Sequence, residues 1–369
     1  MRAVGIILAG GNSEGLGKLT ASRATSAMPI GSCFRAIDFP LSNMTNSGIK
    51  KVAVITQYNS RSLHDHLSSA KWWDFGRKQG GLFVFTPYLS GENSFWFRGT
   101  ADAIYQNISF LRRSSEQYVI ITSGDCIYKM DYDKILDAHE ESGAEITVVC
   151  RDLKDKDVRQ YGVMKMDADN RVLEFEEKPV EPETSIISMG IYVLERTLLM
   201  KMLEAVLPEA RYDFVKDIII RYRKKLVIKG YQYDGYWRSL NSAKAYFDAN
   251  MDFLNRDIRD LFTKEYPYTL TKAKDEPPAK FNHSAQTKNA LIGSGSIING
   301  VVENSVLFRK VTTGEGSVIK NSIIMDNAYI SPGCYIENAI IDREVTVSDG
   351  RQLIGEADSP VIINKGTVI

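Results

Sequence analysis

The chain has 369 residues, enough for two domains and a large buried core. Its 46 basic residues balance 46 acidic ones, with a sequence pI near 6.9, so no basic excess argues for nucleic acid or a membrane surface. The cysteines (Cys33, Cys126, Cys150 and Cys334) are far apart, with no CxxC pair. Together with only four dispersed histidines, this excludes a disulfide framework and zinc and predicts a reduced, cytoplasmic location.

The N-terminus shows no charged segment ahead of a cleavage site, and no apolar stretch approaches about eighteen residues, so neither secretion nor a membrane is expected. The run Val4-Gly5-Ile6-Ile7-Leu8-Ala9-Gly10-Gly11 is short, has no polar alternation and ends in two glycines. It reads as a buried central strand of a parallel sheet. Glycines at the carboxyl end of such a strand let backbone N–H groups approach an anion, although an ordinary strand and turn fits the same spacing. Two phosphate motifs fail here. Gly10 is followed by Gly11, Asn12, Ser13, Glu14 and Gly15, which is no dinucleotide fingerprint. A P-loop ending at Gly17-Lys18 would need glycine at Asn12 and Ser or Thr at Leu19.

Further along, strands are expected over 51–56, 82–85, 118–122 and 145–150, and helices over 61–70, 101–112 and 132–142. Their alternation predicts an open parallel α/β sheet, with ligands beyond the carboxyl ends of the strands. Ser123-Gly124-Asp125 falls at one such end. A helical pattern over 242–262 leads into an irregular stretch, 266–289, with Pro267, Pro277 and Pro278, which reads as an ordered linker. Then Val318, Ile324, Ile330 and Ile336 recur every six residues, with Asn321, Asn327, Ser331 and Gly333 between them. Such a period marks a left-handed parallel β-helix. The stretch 292–311 keeps the composition without the strict period, so irregular coils are expected there. A small sandwich of short strands is the alternative. The expected division is an α/β domain over 1–240, helix and linker over 241–288, and a β-helix over 289–369.

Leu8-Ala9-Gly10-Gly11 with Leu16, Leu19-Thr20, Arg23-Ala24, Pro29 and Ile37-Asp38-Phe39-Pro40-Leu41-Ser42-Asn43 resembles the start of bacterial ADP-glucose pyrophosphorylases. These glucose-1-phosphate adenylyltransferases make the glucosyl donor for glycogen from ATP and glucose 1-phosphate. The resemblance runs from residue 1 to about 350. It implies a Rossmann-like nucleotidyltransferase domain with a mostly parallel sheet, followed by a C-terminal left-handed parallel β-helix, and so settles against the sandwich. Phe95-Trp96-Phe97-Arg98-Gly99-Thr100-Ala101-Asp102-Ala103 matches a family block, with Phe97 where tyrosine is frequent. By resemblance the nucleotide lies against Leu8, Ala9, Gly10, Gly11, Gln57, Gly99, Thr100, Ala101 and Asp102. Helix capping alone would also explain Thr100. Tyr161-Gly162-Val163-Met164, Glu174-Phe175-Glu176-Glu177-Lys178-Pro179, Ser188-Met189-Gly190-Ile191-Tyr192 and Asp213-Phe214 match the sugar side. They imply sugar-phosphate contacts at Gly162, Glu177, Lys178, Ser188 and Asp213, although Val215 replaces the usual glycine.

The departures fall on charge. Ser13 stands for a family glycine, Gly15 for an arginine and Thr25 for a lysine. Ser123-Gly124-Asp125-Cys126 keeps a metal aspartate but has cysteine for histidine. Trp237-Arg238-Ser239-Leu240-Asn241-Ser242 replaces the second metal aspartate with Ser239. No catalytic set is therefore intact: it is degenerate at Gly15, Thr25 and Ser239, and Asp125 is left as an incomplete metal site. Mg²⁺ is expected only if the pocket is active. Losing one preorganised stabiliser typically costs on the order of 10²–10³ in turnover, and several losses do not simply add. The favoured reading is a catalytically impaired regulatory (GlgD-type) subunit that modulates a catalytic (GlgC-type) partner in a tetramer. It would retain a site for glucose 1-phosphate, ADP-glucose or ATP, with no nucleic acid and no membrane among its partners. The alternative is an active glucose-1-phosphate adenylyltransferase. A β-helix acyltransferase fits poorly, because the only C-terminal histidine, His283, precedes the expected coils.

Overall fold

A computed structural model describes residues 2–11, 14–76, 80–88, 96–154 and 157–369; Asn12, Ser13 and Phe95 lie outside the described residues. Strand β1 (Ala3–Leu8) is central, paired in parallel with Lys51–Ile55 on one side and Tyr118–Ser123 on the other. Gly81–Phe85 continues the parallel half. Both faces are apolar, as an unalternating strand requires. Ile7, Val52, Val54 and Ile120 pack beneath helices α1 (Asp38–Asn46), α2 (Arg61–Leu67) and a later helix. Val4, Ile6, Ala53 and Ile121 pack beneath α3 (Thr100–Gln106), α4 (Ile108–Arg112) and others. The later helices are α5 (Tyr132–Ser142), which joins the first face, and α6 (Arg196–Val206), which joins the second.

The other half of the sheet enters antiparallel. The long strand Ile186–Glu195 runs against Tyr118–Ser123 and carries Ile146–Asp152 and Gly162–Met166. Val172–Glu177 pairs antiparallel with Gly162–Met166, so the parallel frame expected from the sequence holds the first half of the chain and the sugar-side blocks join it from the opposite direction. A bulge between Ser188 and Ile191, with Gly190 at φ 72°, bends the long strand at the carboxyl end of Tyr118–Ser123.

Three expected helices are shorter than their apolar patterns. The 61–70 pattern ends as a helix at Leu67 and resumes as a 3-10 turn, Ala70–Trp73. The 101–112 pattern breaks at Asn107, whose side-chain N–H bonds the Ala103 carbonyl and competes with the helix ladder. The 242–262 pattern divides into α7 (Ala243–Asp252) and α8 (Arg256–Thr263), capped by Ser242 and Asn255.

The C-terminal domain is a three-sided parallel β-helix. Val301, Val318, Tyr335 and Gln352 stack in register, one coil per seventeen residues. Ile319, Ile324, Ile330, Ile336, Ile341 and Val347 point inward and are fully buried, so steps of six are interrupted by steps of five. The shortened step falls at a corner where Asn304, Asn321 and Asn338 adopt left-handed φ of 43°, 43° and 50°. Asparagine tolerates that conformation better than most residues. Three expectations are corrected here. Val318, expected inside, is only half-buried and Ile319 takes its place. The stretch 292–311 is regular, because Val301–Leu307 pairs with Gln286–Ile292 and with the next coil; its step from Gln286 to Val301 is fifteen, which hid the period. The coils also begin at Lys280–Phe281, paired with Ile297–Ile298, ahead of the boundary expected at 289.

The domains share one apolar core. Leu16, Leu19, Phe39, Tyr246, Phe247 and Phe253 meet Val306, Phe308, Ile323, Met325 and Ile340 of the coils. Beside it Arg23 and Asp342 form a buried ion pair across the domain boundary. No helix among the described residues is long and apolar enough to cross a membrane.

Candidate active site

At the carboxyl ends of β1 and Lys51–Ile55 lies a cavity of about 270 Å³ that brings together Leu8, Gly10, Gly11, Gln57, Gly99 and Thr100, all expected there. Ala9, Ala101 and Asp102 do not line it. The Ala9 N–H bonds the Ile55 carbonyl, and the Ala101 N–H bonds the Tyr212 carbonyl. The buried Asp102 carboxylate accepts from the Arg98 backbone N–H and guanidinium and from the Gln106 amide, so it shapes the loop from within. Gln57 lines the cavity, but both ends of its amide are bonded to the Phe97 main chain. Thr100 does not cap its own helix: its hydroxyl accepts from the Phe214 N–H, and a Cβ at Gly99 would overlap the Tyr212 carbonyl oxygen. The 97–102 loop is thus fastened to 212–214.

Tyr58 escaped the sequence reading, and Arg98, part of a matched block, was given no role of its own. Tyr58 forms an aromatic wall, stacked against Trp96 at 6.2 Å between centroids and 7° between planes. The Arg98 guanidinium lies 4.0 Å from the centre of the Tyr212 ring while holding Asp102. Both sit next to singled-out positions, Gln57 and Gly99, and adjacency was the available signal.

The charge departures cluster in space. Trp237–Ser239 pairs antiparallel with Cys126–Tyr128 and sets Ser239 opposite Cys126, beside Asp125. Asp125 accepts from the Ser123 hydroxyl at 2.5 Å, and the Cys126 thiol donates to it at 3.6 Å. Burial pushes the Cys126 thiol well up, which keeps it protonated and a poor metal ligand. Among the described residues no group of three His, Cys, Asp or Glu side chains could hold a metal. A neutral hydroxyl and a protonated thiol beside Asp125 leave a divalent cation a single charged protein ligand there. Gly15 packs so closely on the next segment that a Cβ there would overlap the Asn241 carbonyl oxygen. Thr25 is buried, and its hydroxyl has no hydrogen-bond partner among the described residues.

On the sugar side, Glu177 stands opposite Gly162 in register, and the absent Cβ of Gly162 leaves room for the Glu177 carboxyl and the Phe175 ring. Burial raises the Glu177 carboxyl, and Lys178 acts against that shift. Lys178 has φ 55°, and its N–H bonds the Tyr161 carbonyl. The Ser188 hydroxyl pairs with Tyr192, whose phenol feels both Glu177 and Asp213. Asp213 accepts from the Lys216 N–H and so anchors the following turn.

The nucleotidyl transferase family matches residues 4–256, and the GlmU-like C-terminal hexapeptide family matches 277–359. The chain is 40% identical over 320 residues to the glucose-1-phosphate adenylyltransferase of Thermosipho africanus, spanning 86% of this chain and 77% of the relative. It is 40% identical over 324 residues to the enzyme of that name from Clostridium perfringens (86% and 82%), and 37% identical to that of Geobacillus stearothermophilus (86% and 83%). With these coverages and two domains in the matching order, the chain belongs to the ADP-glucose pyrophosphorylase (glucose-1-phosphate adenylyltransferase) family of nucleotidyltransferases.

Proposed function

We propose that this chain is a regulatory, catalytically impaired subunit of ADP-glucose pyrophosphorylase, which modulates a catalytic partner in bacterial glycogen synthesis. The observation that carries the reading is the phosphate side of the site. There Gly15 has neither a side chain nor room for one against Asn241, and Ser239 gives Asp125 no second carboxylate. Transfer of a nucleotidyl group depends on positioning and on neutralising phosphate charge, and both are reduced there. The sugar-side residues sit together, Glu177 opposite Gly162 and the Lys178 N–H on the Tyr161 carbonyl, which supports recognition of glucose 1-phosphate or ADP-glucose. A subunit that binds without turning over still acts on its partner when it contacts the partner's states differently.

The second reading, an active glucose-1-phosphate adenylyltransferase, is favoured by the name shared among the relatives. Co-expression with a catalytic subunit, followed by size-exclusion chromatography and kinetics, tests the regulatory role. A mixed oligomer with altered turnover or apparent substrate affinity is expected. Separate elution with unchanged partner kinetics would refute it.

A further inference from the structure

We propose that a second cavity, at the opposite end of the sheet from the candidate active site, binds a small organic cation of the alkylammonium class. It has a volume of about 360 Å³ and lies where Tyr118 opens the strand Tyr118–Ser123, with Glu195 opposite it in register. The candidate active site lies past the carboxyl ends of the strands, and the two cavities share no lining residue. Tyr118, Ala144 and Leu198 supply apolar surface, while Glu140, Glu145 and Glu195 face a single lining cation, Lys201. Arg2 divides its guanidinium between Glu140 and Asp137, and Glu145 accepts from the Val227 N–H. Glu195 is the least engaged: among the described residues its carboxylate accepts only from the Thr197 hydroxyl, at 3.5 Å. Excess carboxylate around an apolar floor suits an ammonium group on a short carbon chain and disfavours an anion. Among the described residues no group of three His, Cys, Asp or Glu side chains could hold a metal, which argues for an organic cation.

Carboxylates alone would be a solvated rim. The second observation is His139, which lines the cavity and is only 3% exposed. Its Nδ1 meets the Thr147 hydroxyl at 2.8 Å, while Nε2 has no partner among the described residues. Burial lowers its pKa, against the opposing pull of Glu140 and Glu195, so the ring is neutral near pH 7. A neutral ring that donates from Nδ1 to Thr147 turns an Nε2 lone pair toward the cavity, where it accepts from an ammonium N–H. A buried acceptor left without a donor is costly, and the bound cation removes that cost.

Titration of the full chain near neutral pH with n-butylamine, 1-butanol and KCl tests this, read by calorimetry and by the His139 ring resonance. Only His64, His66 and His283 share the histidine window, and His139→Gln identifies the signal. Butylamine should bind saturably in the millimolar range and move the His139 resonance. Glu195 is exposed, so Glu195→Gln should keep the melting temperature while weakening butylamine at least tenfold. An equal response to 1-butanol would reduce the cavity to an apolar pocket, and an equal response to KCl would reduce the effect to ionic strength. Either result overturns the proposal. So would the absence of saturable binding at tens of millimolar butylamine, or undiminished binding by Glu195→Gln.

Discussion

Several side chains of the family-like blocks act inside the fold rather than toward a ligand. Asp38 is fully buried and accepts from His66 at 2.6 Å, from the Arg35 N–H and from the Thr271 hydroxyl. Asn43 bridges the Tyr128 carbonyl and the Met130 N–H. Apart from Arg35 these partners are far away in sequence, so the positions were visible as a motif while their roles were not. Asp102 is a similar case: a carboxylate in a nucleotide block reads as a ligand group until its partners, Arg98 and Gln106, are seen. His139 offers a prediction at this scale. Its Nδ1 meets the Thr147 hydroxyl at 2.8 Å, its ring meets Tyr118 edge to face, and burial lowers its pKa. The folded chain thus resists a proton that the unfolded chain accepts near an ordinary value of about 6.5. Stability should fall as pH drops below that value, through the lowered one. His139→Gln should flatten that part of the profile in thermal melts taken across the range, and an unchanged acid slope would contradict the assignment.

Among the elements, the loop 14–20 and the segment 239–242 behave as a unit. Leu16 and Leu19 enter the same apolar cluster as Leu240, Tyr246 and Phe247, which presses Gly15 onto Asn241. Asn241 in turn donates to the Tyr161 hydroxyl, next to Gly162 on the sugar side. Gly15 and Ser239, the positions where the resemblance implies an arginine and a metal aspartate, therefore lie on two packed segments. In the sequence they read as separate departures, because nothing local reports a main-chain contact between residues so far apart. Gly15→Arg should lower stability by on the order of 1–3 kcal/mol through overpacking, without raising turnover. Melting and a nucleotidyl-transfer assay check both, and a stable, activated variant would contradict this packing. The β-helix was legible for a different reason. One buried aliphatic per face recurs at nearly constant spacing, so a short window reveals it. The step of seventeen was hidden because a corner asparagine removes one residue from three steps of six without changing composition, and the first step, of fifteen, breaks the period further.

At the scale of the whole molecule, two domains readable in the sequence are joined by contacts that were not. The Arg23–Asp342 pair has side chains only 1% and 2% exposed, and it links the glycine-loop region to the coils. Removing one partner leaves a buried charge unmatched and costs about 3–5 kcal/mol. Asp342→Ala should therefore shift the urea midpoint strongly, whereas Arg23→Met with Asp342→Leu should cost much less. Equal losses would show that the pair's charges do not matter. Through the shared core, α7 and the loop 14–20 pack directly on the coils. On the proposed regulatory reading, this site does not perform transfer by itself. The most direct test is ADP-glucose formation by the purified chain with glucose 1-phosphate, ATP and Mg²⁺, set against a catalytic subunit at equal concentration. Turnover lower by at least about a hundredfold is expected, as for the loss of one or more charge stabilisers; comparable turnover would show that the chain is a catalytic subunit.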